Sequence, residues 1–325
     1  MKNPAALWCI AEGSMEWRPA VLPPAPPPGH LRLRTLASGI SRGTERLVLS
    51  GQVPETERQR MRAPMQQGEF PFPVLYGYSC VGEDETGRRW FALAPHQSLT
   101  DVPHSLAVPL PEGVPLARCV LTANMETALN ALWDAAAGPG DRIFIVGAGI
   151  VGALVAALAS RLPGAEVTMI DPDPSRQAVA AAFGCAWQPA CLPEQAGSAD
   201  VVFHASASSA GLAAAIGLAG QEATVVELSW YGSRDVFVPL GGQFHAGRIR
   251  LVSSQVGQVA ASRRPRWDFR RRLAKAASLL TDGRLDCLCA PPVPAAEAAD
   301  RVPELLMSGS GGPAPWISYD DFLND

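Results

Sequence analysis

Gly147-Ala148-Gly149-Ile150-Val151-Gly152 follows the apolar run Ile143–Val146 and opens an Ala/Leu/Val-rich stretch, Ile150–Arg161. A strand entering a helix through glycines at this spacing can hold a diphosphate. Gly147 permits the tight turn, Gly149 lets phosphate approach the backbone, and Gly152 lets helix and strand pack closely. The first helical residues, Ile150 and Val151, then turn N–H groups and the positive end of the helix dipole toward the anion. A second apolar run, Val167–Ile170, ends at Asp171, about twenty residues on, where a carboxylate accepts the hydroxyls of a ribose. That carboxylate repels a 2′-phosphate, so the expected cofactor is NAD, with NADP less favoured. Arg176 lies near enough in sequence to keep NADP open and counts among the candidate cofactor contacts. The competing account is a glycine turn in an ordinary α/β fold.

Other side chains are placed by the same logic. Ser206 and Ser229 each follow an apolar run, Val201–His204 and Thr224–Leu228. Ligands of open α/β sheets lie beyond the carboxyl ends of the strands, so both serines are candidate walls of a nicotinamide pocket. Trp230 beside Ser229 is either part of that wall or inter-domain packing. His204, at a run's end, is either a general base or a satisfied core histidine. Six arginines crowd Arg263–Arg272 around Trp267 and Phe269, a pattern that fits a solvated helix face or one or two contacts to a substrate carboxylate. The only lysines are Lys2 and Lys275, which leaves little room for a lysine base.

These residues need elements to hold them. The chain has 325 residues, 47% hydrophobic and 18% charged, enough for roughly two domains with their own cores. Up to about Arg118 it is rich in Pro and Gly, with short apolar runs such as Leu31–Leu36 and Trp90–Leu93, which predicts an irregular β-rich region. The proline cluster Pro23–Gly29 is expected as a surface connection. After Leu121 strands and helices alternate: Ile143–Val146, Ile150–Arg161, Val167–Ile170, Ser175–Phe183, Val201–His204, Gly211–Leu218 and Thr224–Leu228, with Leu251–Val256 as a final strand. That alternation predicts a parallel sheet covered on both faces. Asp268–Thr281 reads as a helix with an acid at its start and Gly283 at its end, and Pro315–Ser318 as a closing strand.

A net charge of −4 excludes a polyanion-seeking protein, so no nucleic acid partner is expected. The most apolar stretch, Ile143–Ala159, is shorter than the ~20 residues that span a bilayer and is broken by glycines, so no membrane partner is expected. Seven unclustered cysteines and the lack of a secretory leader pattern point to a reducing, cytoplasmic setting.

Several segments are similar to the medium-chain dehydrogenase/reductase superfamily, and within it to the branch of 2-desacetyl-2-hydroxyethyl bacteriochlorophyllide a dehydrogenase-like proteins. They are Ser38-Gly39-Ile40-Ser41-Arg42-Gly43-Thr44-Glu45, Tyr76-Gly77-Tyr78, Ala94-Pro95-His96-Gln97 and Asn124-Met125-Glu126-Thr127-Ala128-Leu129. The resemblance implies a Rossmann doubly wound parallel sheet, residues 121–256, plus a GroES-like β-rich catalytic domain, residues 1–120, completed by a return segment, residues 257–325. It places the active site in the cleft between them and implies a homodimer through the edge strand Leu251–Val256.

The resemblance also implies where zinc-binding members carry metal, and the residues here differ. The first ligand position falls on Ser41 or Arg42, the second on Tyr78, the third near Ala123 or Asn124. Zinc takes thiolate, imidazole or carboxylate ligands, so no zinc is expected. A site assembled from Cys80, His96 and His104 matches no standard spacing, and a buried Cys80 with surface histidines is the plainer expectation. By the same resemblance Thr44 holds the position of the hydroxyl that relays a proton, and a Tyr78 phenol replaces the Lewis acid. Tyr78 is otherwise a packed aromatic, and Ser41 and Arg42 supporting structure. Glu45 and Glu126 either orient these groups or form structural ion pairs. The expected activity is NAD-dependent interconversion of a secondary alcohol and a carbonyl compound, both small molecules. Two alternatives stand: a zinc alcohol dehydrogenase with differently aligned ligands, and an NAD(H)-binding sensor without catalysis.

Overall fold

A computed structural model describes residues 4–308 and 312–320. The chain divides into two compact units, Met1–Ala123 with Leu273–Asp325, and Asn124–Arg272.

The second unit is built on a six-stranded sheet. In spatial order its strands are Ala186–Gln188, Glu166–Ile170, Arg142–Val146, Ala199–His204, Ala219–Glu227 and Arg250–Ser253. Every pairing is parallel, with Ile143 opposite both Val167 and Val201. Ile143, Phe144, Ile145 and Val146 are all buried, as expected for a strand covered on both faces. Each such side chain contributes roughly 1.5–3 kcal/mol on leaving water. Chain order reverses on the two sides of Arg142–Val146, which makes that strand's carboxyl end the topological switch point of the sheet. Gly147, Asp171, Ser206 and Ser229 all follow strand carboxyl ends.

Two boundaries differ from expectation. The sixth strand stops at Ser253 rather than Val256; Ser254 still donates its N–H to the Glu227 carbonyl at 3.0 Å, and its hydroxyl bonds Asp134 at 2.7 Å. Residues 257–272 belong with the sheet unit rather than with the return segment. Arg272 holds them there, 1% exposed, with Nε donating to Glu126 at 2.9 Å and Nη1 to Asn130 at 2.6 Å and to the Gln258 carbonyl at 2.9 Å. Trp267 adds a ring contact with Trp133 at 4.8 Å. The arginine-rich stretch is therefore not one solvated face: Arg272 is internal, and the helix occupies only Phe269–Leu279. Asp268 accepts from the Arg271 N–H at its start, as an acid there should. Gly283 lies beyond its end and begins a short 3-10 turn, Gly283–Leu288.

The first unit is β-rich. His30–Gly39 pairs antiparallel with Cys80–Glu83, Leu99–Pro103 and Trp316–Ser318 within a larger sheet. A four-stranded sheet contains Ser14–Pro19, Ala5–Ala11, Val74–Leu75 and Gln67–Gly68. Leu7, Val48, Leu49, Val74 and Tyr76 from the start of the chain share one core with Val302, Ile317 and Tyr319 from its end. A β-rich unit drawn from both ends and a parallel sheet drawn from the middle give the expected Rossmann-plus-GroES-like fold.

Candidate functional site

At the switch point the glycine turn has the form a diphosphate requires. Gly147 takes φ +100, and a Cβ there would lie 2.6 Å from the Ser206 nitrogen. A Cβ on Gly152 would lie 2.0 Å from the Gly147 oxygen. Neither position admits a side chain. Gly149 is the opposite case: it is exposed, and a Cβ there would meet nothing within 4 Å. It is the N-cap of the helix Ile150–Ala159 and brings no side-chain cap, so the first N–H groups of the helix, those of Ile150 and Val151, have no acceptor within it, beside the open space at Gly149. An anion fits that space, and a nicotinamide dinucleotide fits the residues present.

Asp171 sits against this turn. Its Oδ2 accepts from the Ala148 N–H at 2.8 Å and its Oδ1 from the Asp173 N–H at 2.9 Å. Each oxygen keeps a further lone pair for a ligand hydroxyl. Arg176 is buried, with its guanidinium 3.2 Å from Asp173. Ser229 Oγ accepts from the Ala207 N–H at 3.0 Å, which ties the turns after two neighbouring strands together.

The first unit holds a cluster of hydroxyls. Tyr78 shares hydrogen bonds with the side chains of Ser41 and Thr44. Burial raises the Tyr78 phenol above its ordinary value; the two hydroxyls oppose the shift and the nearby Glu45 carboxylate adds to it. The phenol is thereby kept as a neutral donor. Glu45 is buried beneath: one carboxylate oxygen accepts from the Ser41 N–H at 2.8 Å, and the other lies 2.9 Å from His96 Nε2. His96 Nδ1 lies 2.7 Å from Ser38 Oγ, itself 3.1 Å from the Tyr319 hydroxyl.

His96 therefore corrects the expectation of surface histidines. It is 1% exposed, while His104 is exposed and Cys80 buried as expected. Gly77 makes room for it, since a Cβ there would lie 3.1 Å from the imidazole, and φ +125 suits only glycine. Three of the quoted segments thus close on one buried imidazole. A cavity of about 10 Å³ beside it, room for a single water, is lined by Cys9, Met15, Glu45, Val48, Tyr76, His96 and Leu306. Burial, with Glu45 adding to it, pushes the Cys9 thiol up to about 12.

The long-range partners Tyr319 and Glu227 were not singled out by sequence; Ser38 and His96 entered only as members of the quoted segments beginning at Ser38 and at Ala94. Glu126 proves to be in an ion pair, with Arg272. Among the described residues no group of three or more His, Cys, Asp or Glu side chains is placed to hold a metal ion.

No family model matches the sequence. Solved structures do match over nearly the whole chain. 2R,3R-butanediol dehydrogenase from Bacillus subtilis superposes with a TM-score of 0.77 at 14% identity, covering 98% of this chain and 100% of that one. Galactitol-1-phosphate dehydrogenase from Escherichia coli gives 0.75 at 14%, covering 97% and 100%. The quinone oxidoreductase from Thermus thermophilus, solved also with NADPH, gives 0.71 at 21%, covering 97% and 100%. The chain has the medium-chain dehydrogenase fold. Among the described residues no helix is long and apolar enough to cross a membrane.

Proposed function

We propose that the protein is an NAD-dependent oxidoreductase that interconverts a secondary alcohol and its carbonyl compound without catalytic zinc. The observation that carries this reading is the bare, uncapped helix N-terminus at Gly149 with Asp171 fixed beside it. Gly147, Gly149, Ile150, Val151 and Gly152 hold the diphosphate, and Asp171 takes the ribose hydroxyls. Ser206 and Ser229 bound the nicotinamide end. Arg176 supports NAD over NADP, because its guanidinium is buried against Asp173 rather than open to a 2′-phosphate. The bound dinucleotide supplies or takes up the hydride.

The reacting oxygen needs a hydrogen-bond donor as charge develops on it. Tyr78 fills that role as a neutral phenol, with Thr44 and Ser41 passing the proton and Glu45 fixing the Ser41 backbone. Zinc does not fit this cluster: hydroxyls, a phenol kept protonated and the Arg42 cation are poor donors for it. The partner is a small alcohol or carbonyl compound. A second copy of the chain pairs along the edge strand, of which Arg250–Ser253 is ordered as strand.

Calorimetry with NADH and NADPH on the purified protein tests the core of this reading. NADH should bind more tightly than NADPH. Gly149→Val, whose Cβ would meet no atom of the protein within 4 Å, should leave folding intact and weaken binding by about 100-fold or more, roughly 2.7 kcal/mol. Absence of binding by either nucleotide overturns the proposal. Near-stoichiometric zinc overturns the metal-free mechanism, and tight NADH binding without turnover across alcohols and ketones returns the protein to a sensor.

A further inference from the structure

The strand Ala199–His204 ends in a second arrangement, and its chemistry is not that of hydride transfer. His204 is fully buried. Its Nδ1 lies 2.7 Å from Glu227 Oε2, and its Nε2 lies 2.6 Å from Ser206 Oγ. Glu227 is held in turn: Oε1 accepts from the Ser229 N–H at 2.6 Å, and Oε2 accepts from the Tyr231 hydroxyl at 3.1 Å. An ionised carboxylate can only accept, so Nδ1 carries the imidazole proton and Nε2 is left to accept from Ser206. Burial by itself raises the Glu227 carboxyl, but the His204 contact and the Ser229 N–H outweigh it and hold the group below its ordinary value.

Ser206 is exposed, unlike its two partners. Ser208 Oγ lies 2.9 Å from Ser206 Oγ and accepts from the Gly211 N–H at 3.0 Å, capping the helix Ser209–Leu218. That helix begins against the serine: a Cβ on Gly211 would lie 2.2 Å from Ser206 Oγ and 2.8 Å from His204 Nε2. Glycine is what admits the pair. The N–H groups of Ser209 and Ala210, at the start of the first turn, have no acceptor within the helix. Ala207, next to Ser206, takes φ +51, a conformation costly for a residue with a side chain and found where a site requires it.

We propose that Ser206, His204 and Glu227 form an acyl-transfer triad that hydrolyses activated esters, with the first turn of Ser209–Leu218 receiving the oxyanion. His204 Nε2 takes the proton of Ser206 as Oγ bonds to the ester carbonyl carbon. The carbon–oxygen bond to the leaving group breaks, and that oxygen takes the proton back from His204. Water then gives a proton to His204 as its oxygen bonds to the acyl carbon; the bond to Ser206 Oγ breaks, His204 returns that proton to Oγ, and the carboxylic acid leaves with Ser206 and the neutral imidazole restored. Glu227 holds the tautomer and the charge on the imidazole throughout. No pyridine nucleotide takes part in the steps, so the nucleotide-free protein tests this activity separately from the oxidoreductase, although Ser206 also stands at the wall proposed for the nicotinamide.

The full-length protein, free of nucleotide, is mixed with p-nitrophenyl acetate, and both p-nitrophenolate release and the acetylated peptide are measured. The acetyl group should map to Ser206 in the unaltered protein, a result that depends on no variant. Ser206→Ala and His204→Gln should each lower release by about 100-fold or more, with unchanged circular dichroism for the exposed Ser206→Ala. Acetyl found only on cysteine or lysine, or release in Ser206→Ala equal to that of the unaltered protein, overturns the proposal.

Discussion

His96 and His204 each bridge a glutamate and a serine. In one unit the chain of contacts is Glu45–His96–Ser38; in the other it is Glu227–His204–Ser206. All four bridging distances lie between 2.6 and 2.9 Å. The difference is at the serine. Ser38 is fully buried and its hydroxyl is shared with Tyr319, whereas Ser206 opens to solvent against the start of a helix. Imidazole polarity that ends inside the protein rigidifies a core; the same polarity ending on an accessible hydroxyl can be used on a substrate. Access, not the identity of the three residues, separates them.

The largest expected effect tests the buried member. His96→Ala takes one partner each from the Glu45 carboxylate and the Ser38 hydroxyl, leaving them the Ser41 N–H and the Tyr319 hydroxyl in the interior, and breaking such a buried pair costs roughly 3–5 kcal/mol. His204→Ala should cost less, about 1–3 kcal/mol, because Glu227 is partly exposed and keeps Ser229 and Tyr231. Urea unfolding of the two variants measures this directly. Equal losses would mean that both imidazoles serve stability alone.

Next in size is Tyr78→Phe. The work of the first unit is assigned to the Tyr78 hydroxyl rather than to the enclosed His96, so this change should lower kcat by about 100-fold while NADH affinity holds. Steady-state kinetics with a turned-over alcohol and NADH titration separate the two. An unaltered kcat removes Tyr78 from the proton path.

The contrast also explains what could be read from sequence. Gly147, Gly149 and Gly152 were legible because their constraints are local: a positive φ, an open cap and a 2.0 Å approach all arise within one turn. The parallel strands were legible because burial on both faces makes continuous apolar runs. His96 was not, since Glu45 and Ser38 lie 51 and 58 residues away and no periodicity joins them. Arg272 misled for the same reason. An arginine among arginines looks solvated until Glu126 and Asn130, 146 and 142 residues off, are brought to it. The sheet boundary moved with it. Glu227 ended an apolar run, and only the register placing it opposite His204 reveals the pair.

Gly211→Ala sharpens the comparison from the backbone side. The new methyl group would collide with Ser206 Oγ and press on His204 Nε2. Acetylation of Ser206 should slow by about tenfold, or roughly 1.4 kcal/mol of barrier. The helix itself gains up to about 1 kcal/mol from replacing glycine, so stability should change little. A large stability loss would mean that the strand-end turn, not the serine, is what Gly211 accommodates.

The smallest effect is electrostatic. The Glu227 carboxyl lies below its ordinary value in the folded protein, about 4.3 for glutamate when unfolded. A depressed value contributes stability above the unfolded value, and that contribution is lost as pH falls through the folded one. Glu227→Gln keeps an oxygen for His204 Nδ1 and removes the charge. Unfolding free energies from neutral pH down through the carboxylate range should therefore fall more steeply for the unaltered protein than for Glu227→Gln. The two should converge at the acid end, where the glutamate is protonated and resembles the amide. Parallel curves would show that Glu227 is not ionised beside His204, and a neutral acid cannot stabilise the imidazolium that separates the open chain from the enclosed one.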